Sequence, residues 1–139
     1  MKYLLDSDTC ISFLKDQFNI AEKIESVGIE NCYVSEITIA ELSYGAYNSM
    51  NFEKHIPEVK SIAGLYTVLS IYGSIDIYAK EKSRLRKEGN LIPDFDLLIG
   101  ATAVAHDMIM VTSNVKHMRR IQFLKIENWR EAVFNEFLK

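Results

Sequence analysis

Short apolar runs alternate along this chain with stretches of helical periodicity, and that alternation restricts the folds open to it. Tyr3-Leu4-Leu5, Cys32-Tyr33-Val34, Thr67-Val68-Leu69-Ser70-Ile71, Met108 to Thr112 and Phe123 to Ile126 are strand candidates. Between them, residues 9–16 read as a helix with Asp8 as its N-cap, residues 20–27 as a helix stopped at Gly28, and residues 38–47 as a third. Phe52, Ile56, Val59, Ile62 and Ala63 fall at helical spacing, but Pro57 lacks an amide donor and is expected to break or start a helix there. Residues 74–88 form a helix ending at Gly89-Asn90, and Pro93 precedes another from 95 to 106. Strands alternating with helices predict an α/β sandwich around a mostly parallel sheet. In such sheets ligands bind beyond the carboxyl ends of the strands. Asp6 and the Thr112-Ser113-Asn114 turn both fall at such ends.

The 139 residues suit one compact domain spanning 1–139. Hydrophobic residues make up 48 % and charged residues 25 %, which excludes a disordered class. No apolar run approaches the ~20 residues of a transmembrane helix. Asp6 and Asp8 interrupt the apolar start that a signal peptide needs, so a cytoplasmic protein is expected. Cys10 and Cys32 fit no metal-ligand spacing and read as free buried thiols in a reducing compartment. The formal charge of −3 gives no support to nucleic-acid binding. A cluster of metal-binding carboxylates would itself push the total in that direction.

Three acids stand out. Asp6 ends an apolar run and would project from a strand's carboxyl end, although Asp is also common in turns. Glu41 lies in Thr38-Ile39-Ala40-Glu41-Leu42, where Thr38-x-x-Glu41 also matches a capping box. Asp96 enters a helix that continues Leu97-Leu98-Ile99-Gly100-Ala101-Thr102-Ala103-Val104-Ala105, apolar almost all round and therefore buried. An acid at the mouth of a buried helix needs a partner. Asp94, two residues earlier, faces another way and reads as the helix cap. Carboxylates gathered in one place repel unless a cation intervenes, and hard divalent ions such as Mg²⁺ meet that need.

Together these segments resemble the PIN-domain family, especially the toxin ribonucleases of VapBC-type toxin–antitoxin pairs. Tyr3-Leu4-Leu5-Asp6-Ser7-Asp8 is similar to the family's strand followed by Asp-Thr/Ser-Asn, and Thr38-Ile39-Ala40-Glu41-Leu42-Ser43-Tyr44-Gly45 to its Thr-x-x-Glu-Leu-x-x-Gly helix. Asp96-Leu97-Leu98-Ile99-Gly100-Ala101 resembles Asp-x-x-Ile-Ala-Ala, Val111-Thr112-Ser113-Asn114 the strand-end Thr-x-Asn/Asp, and Ile126-Glu127-Asn128-Trp129 a common ending of these toxins. The four principal motifs occur in the family's order and at its spacing. The resemblance implies a three-layer α/β/α PIN-like sandwich. It also implies an endoribonuclease in which Asp6, Glu41 and Asp96 hold Mg²⁺ or Mn²⁺, with Asn114 at the fourth acidic position and Thr112 supporting Asp6 or the turn. Two positions depart from the pattern: Asp8 replaces the usual Asn, and Asn114 replaces an Asp of many members. Gly100 stands where Ala is usual and should cost some helix propensity. The resemblance further implies an RNA substrate, a small cognate antitoxin and a homodimer. Ile11, Phe13, Leu14 and Leu42 offer apolar helical surface for such contacts.

Basic residues are grouped locally. Lys80, Arg84 and Lys87 share one helical stripe and Lys82 and Arg86 another, while Lys116, Arg119 and Arg120 follow the Asn114 turn. Each group suits either RNA contact or a solvated face laced with Glu81 and Glu88. His117 reads as an exposed loop histidine or a phosphate contact. Two other functions compete. Asp6-Ser7-Asp8 also resembles the Asp-x-Asp motif of haloacid-dehalogenase-type phosphohydrolases, with Asp6 as nucleophile and Asp8 as acid/base. Alternatively, Asp8 and Asn114 mark a non-catalytic PIN fold that binds RNA or protein.

Overall fold

The structure is a computed structural model that describes residues 1–131. The expected domain of residues 1–139 therefore has its last eight residues, 132–139, outside the described part. The elements run β1 (Tyr3–Leu5), α1 (Ser7–Leu14), α2 (Ile20–Val27), β2 (Cys32–Ser35), α3 (Glu36–Tyr47), α4 (Phe52–Leu65), β3 (Thr67–Leu69), α5 (Ile75–Lys87), α6 (Asp94–Ala105), β4 (Ile109–Val111), α7 (Val115–Met118) and β5 (Lys125–Glu127), with short 3₁₀ turns before β2 and α5. Every strand pairing is parallel, and the order across the sheet is β3-β2-β1-β4-β5. The chain winds outward from β1 through β2 to β3, then crosses back to place β4 on the other side of β1. Right-handed crossovers put helices on opposite faces of the sheet before and after that reversal.

Strand alternation sends neighbouring residues into different cores. Leu5, Val34 and Val111 pack with Cys10 of α1, Ile20 and Ile24 of α2, Leu42 and Ala46 of α3, and Val59 and Ile62 of α4. Leu4 and Met110 pack on the other face with Leu85 of α5, Leu97, Ile99 and Ala103 of α6, and Met118 of α7. The result is three layers, helices on both faces of a five-stranded sheet. Each fully buried Leu or Ile contributes about 1.5–3 kcal/mol through burial. Cys10 and Cys32 are both free and buried in the first core. No helix among the described residues is long and apolar enough to cross a membrane.

Several element boundaries differ from expectation, each for a local reason. Helix α1 begins at Ser7 because Asp6, already extended at the end of β1, accepts the Ser7 amide and acts as the N-cap in place of Asp8. Helix α3 begins at Glu36, capped by the Ser35 hydroxyl, so Thr38 lies inside it and the Thr38–Glu41 capping box does not form. Pro57 neither starts nor breaks α4. It and Glu53 are exposed, so the carbonyl left without an amide donor meets water. Asp94 is the first residue of α6 and not its cap: it accepts the Tyr78 hydroxyl at 2.9 Å and pairs with Lys82 at 2.9 Å. The last strand starts at Lys125, since Phe123 has a φ of 68°, in the left-handed region.

Gly100 lies on the inner face of α6, fully buried, and a Cβ there would meet Cδ1 of Ile121. The absence of a side chain thus makes room for the segment after α7, which offsets the lost helix propensity. Gly100→Ala should gain about 1 kcal/mol of propensity and lose about 1–3 kcal/mol as Ile121, itself buried, is pushed aside, so the variant should be no more stable than the wild type and up to about 2 kcal/mol less. Ile121→Val in the same chain should recover the difference. Denaturant titration of the single and double variants reads both effects, and a stabilised single variant would refute the packing argument.

Candidate active site

The carboxyl ends of β1 and β4 flank the point where the winding of the sheet reverses, the usual place for a ligand in an open α/β fold. Asp6 leaves β1 at this crevice and is 6 % exposed. Its Oδ1 accepts the Ser7 amide at 2.8 Å, and its Oδ2 accepts the hydroxyl of buried Thr112, at the end of β4, at 2.8 Å. The same Thr112 oxygen accepts the Asn114 amide at 3.0 Å, so one hydroxyl ties β1 to the turn after β4.

Further acids join from the helices. Glu41, in the second turn of α3, accepts the Ser7 hydroxyl on Oε1 at 2.7 Å. Ser7 therefore holds Asp6 by its amide and Glu41 by its hydroxyl. Asp96, in the first turn of α6, has its Oδ2 3.2 Å from Asn114 Nδ2 and 3.1 Å from His117 Nδ1, and these two nitrogens are 3.3 Å apart. Asp8 turns to the β4 side, where its Oδ2 accepts the Ser113 amide at 2.9 Å and the Ser113 hydroxyl. Asp6, Glu41, Asp96, Asn114, Thr112 and Asp8 thus belong to one hydrogen-bonded array. Sequence reasoning passed over Ser7 and Ser113, and took His117 for an exposed loop residue or a phosphate contact. Ser7 lies between two acids, and His117 lies three residues after Asn114, one turn along α7.

The electrostatic consequence falls on Asp6. Burial, then the nearby Asp8 charge and more weakly Asp96, push its carboxyl from 3.8 up to about 7, against the opposing hydrogen bonds from Thr112 and Ser7. A divalent cation would relieve that repulsion. The donors are hard oxygens, which suit Mg²⁺ or Mn²⁺. Among the described residues, no three His, Cys, Asp or Glu side chains close on a single point by themselves.

The basic residues separate into two kinds. Lys116 and Arg119 are exposed on and after α7, and Arg86 and Lys87 are exposed on α5. Lys80 makes an exposed pair with Asp76 at 3.1 Å. Arg84 does not belong with them. Its guanidinium is engaged by Glu81 at 2.8 Å, by Glu88 and by the Arg120 carbonyl, because nearly buried Glu81 needs a partner. Arg120 likewise donates to the Leu91 carbonyl. Beside the site, a groove of about 460 Å³ runs between α1, α3 and α4, lined by Ser7 and Glu41 at one end and by Ile11, Leu14, Leu42 and Val59.

With this fold and this cluster of acids, the chain belongs to the PIN-domain family, whose model matches residues 3–124. Ribonuclease VapC1 of Haemophilus influenzae strain R2866 is 32 % identical over 132 residues, which cover 93 % of this chain and 98 % of that protein. The tRNA(fMet)-specific endonuclease VapC of Salmonella typhimurium is 26 % identical over 130 residues with the same coverage. The crystal structure of VapBC2 from Rickettsia felis, bound to a DNA fragment from its promoter, superposes with a TM-score of 0.86 at 27 % identity, over 93 % of this chain and 99 % of that one.

The raised carboxyl of Asp6 makes stability depend on pH. The folded state holds this proton more tightly than the unfolded chain does. Its contribution is fully present below pH 3.8 and is lost as pH rises through about 7. With a chelator present, the wild type should lose up to about 4 kcal/mol across that window relative to Asp6→Asn. Denaturant titrations at a series of pH values check this; equal slopes in both proteins would remove Asp6 as the cause.

Proposed function

We propose that this chain is the toxin of a toxin–antitoxin pair, an endoribonuclease that hydrolyses RNA with Mg²⁺ or Mn²⁺ as cofactor. Membership of the PIN-domain family and the VapC relatives support RNA hydrolysis. The observation that carries the chemistry is that Asp6, Glu41 and Asp96, far apart in sequence, are linked through Ser7, Thr112 and Asn114 in one hydrogen-bonded array. Asp6, Glu41 and Asp96 would hold the cation, with Asn114 as a further ligand directly or through water. When bound, such a cation supplies Lewis acidity that activates water and offsets charge on the phosphoryl oxygens. The chain's own polar groups pre-set the site: Thr112 and the Ser7 amide orient Asp6, the Ser7 hydroxyl orients Glu41, and Asn114 orients Asp96. Their reorganisation is completed during folding, before substrate arrives.

Lys116 and Arg119, on and just after α7, and Lys80 and Arg86 on α5 are the cations we assign to the RNA backbone. The exposed Lys80–Asp76 pair is worth little and can yield to a phosphate. For protein partners, the VapBC complex among the structural relatives supports a cognate antitoxin. Exposed Tyr44, Tyr47 and Met50 in and just after α3 offer apolar surface for it and for a homodimer. The aspartyl-phosphate alternative is not favoured, because the Oδ2 of Asp8 is taken up by Ser113.

Purified chain free of antitoxin should cut RNA with Mg²⁺ or Mn²⁺ and not with EDTA. Asp6→Asn and Asp96→Asn should each lower the rate by about 10²-fold or more. Attack by water leaves a 5′-phosphate and a 3′-hydroxyl, which end-labelling reads. A 2′,3′-cyclic phosphate would overturn the mechanism, and cutting in EDTA would overturn the cofactor.

A further inference from the structure

We propose that His117 is itself a ligand of the divalent cation, completing a donor set with Asp96 and Asn114 that makes the site prefer Mn²⁺ over Mg²⁺. This rests on the cation-dependent nuclease proposed above. The argument begins with geometry. Asp96 Oδ2, Asn114 Nδ2 and His117 Nδ1 form a triangle with sides of 3.1, 3.2 and 3.3 Å. Donor atoms sharing one face of an octahedron around an ion ~2.1 Å away stand ~3.0 Å apart, so the triangle needs only a few tenths of an ångström of adjustment. Half a turn of the Asn114 amide exchanges its nitrogen for its oxygen and turns a donor into a ligand at the same place.

The imidazole is held there by the fold. Helix α7 is anchored by Met118, fully buried, and the Met118 amide closes on the Asn114 carbonyl at 3.2 Å. That turn carries Asn114 and His117 on one side. The side chains of His117 and Asp96 are 36 % and 19 % exposed, so solvent and an ion reach them. Unlike a further carboxylate, an imidazole nitrogen adds a ligand without adding to the negative charge of Asp6, Asp8, Glu41 and Asp96. Carboxylate, carbonyl and water ligands serve Mg²⁺ and Mn²⁺ alike; imidazole suits the later first-row ions best, and of these two ions Mn²⁺, which begins that affinity series, takes a nitrogen ligand more readily than Mg²⁺, which demands oxygen and sheds its water reluctantly. The nitrogen at position 117 is therefore a group able to separate the two ions.

Pulsed electron paramagnetic resonance of the Mn²⁺-loaded protein tests the contact without reference to activity. The wild type should show hyperfine coupling to an imidazole nitrogen, and His117→Gln should abolish it. Calorimetry should show Mn²⁺ affinity falling by about tenfold or more in His117→Gln while Mg²⁺ affinity stays within about twofold. Mn²⁺ bound without nitrogen coupling, with affinity lost in Asp96→Asn but not in His117→Gln, would overturn the role of His117 and leave the cation site standing. Binding of neither ion, or binding unaffected by Asp96→Asn, would overturn the cation site itself and this ligand with it. The wild-type spectrum decides the contact even if the Gln variant does not fold.

Discussion

The hydrogen bond from the Thr112 hydroxyl to Asp6 joins the ends of β1 and β4 where the winding of the sheet reverses, and the rest of the site hangs from it. In a parallel sheet those two strand ends diverge into helices on different faces, leaving a crevice between them. Thr112 bridges that crevice with a group small enough to be fully enclosed and able to donate and accept at once. Its oxygen takes the Asn114 amide, which sets the turn, and the turn sets where Asn114 and His117 meet Asp96. A Val of the same shape would fill the space and leave Asp6, the Asn114 amide and the turn without their common partner.

Around this bridge the chain keeps like charges together at a cost to folding. Asp6 is buried near Asp8 and Asp96, and the raised affinity of its carboxyl for a proton measures that cost. Short polar side chains absorb part of it: Ser7 between Asp6 and Glu41, and Ser113 against Asp8. The departure from the family pattern at position 8 is explained in this way. The extra carboxylate is turned toward Ser113 and helps to fasten the start of α1 to the turn after β4. A second clamp lies behind the site. Glu81 and Arg84 of α5 hold the Gln122 amide and the Arg120 carbonyl, so the segment after α7 is fixed by a helix of its own layer. Residues that read as surface charge thus act as internal supports.

Much of the fold was legible because the signals were periodic. Three-residue apolar strands such as Tyr3-Leu4-Leu5 and the all-round apolar run from Leu97 to Ala105 can be buried in few ways, and alternation with helices left little choice but a parallel sheet. The acids at 6, 41 and 96 were singled out through their motifs, and the fold links them through Ser7, Thr112 and Asn114. Boundaries were less so, since they depend on which of two competing groups captures an amide: Asp6 and not Asp8, Ser35 and not Thr38. Helix α7 spans only four residues and carries no period to detect. Arg84 and Lys80 share a stripe on α5, and only the position of nearly buried Glu81 and the Arg120 carbonyl separates a structural arginine from a solvent-facing lysine.

The sequence by itself determined the layered α/β architecture and the burial of α6, because each follows from local pattern, and its motifs marked Asp6, Glu41 and Asp96 as candidate site residues. Tertiary structure decided which atoms face one another. Ser7 to Glu41, Thr112 to Asp6, and Asp96 to both Asn114 and His117 are contacts across elements far apart in the chain. Their distances are set by how helices pack on a twisted sheet and by the point at which its winding reverses. No local signal carries that information, since hydrogen bonds of 2.7 to 3.2 Å demand a precision in relative placement that only the whole packed core supplies.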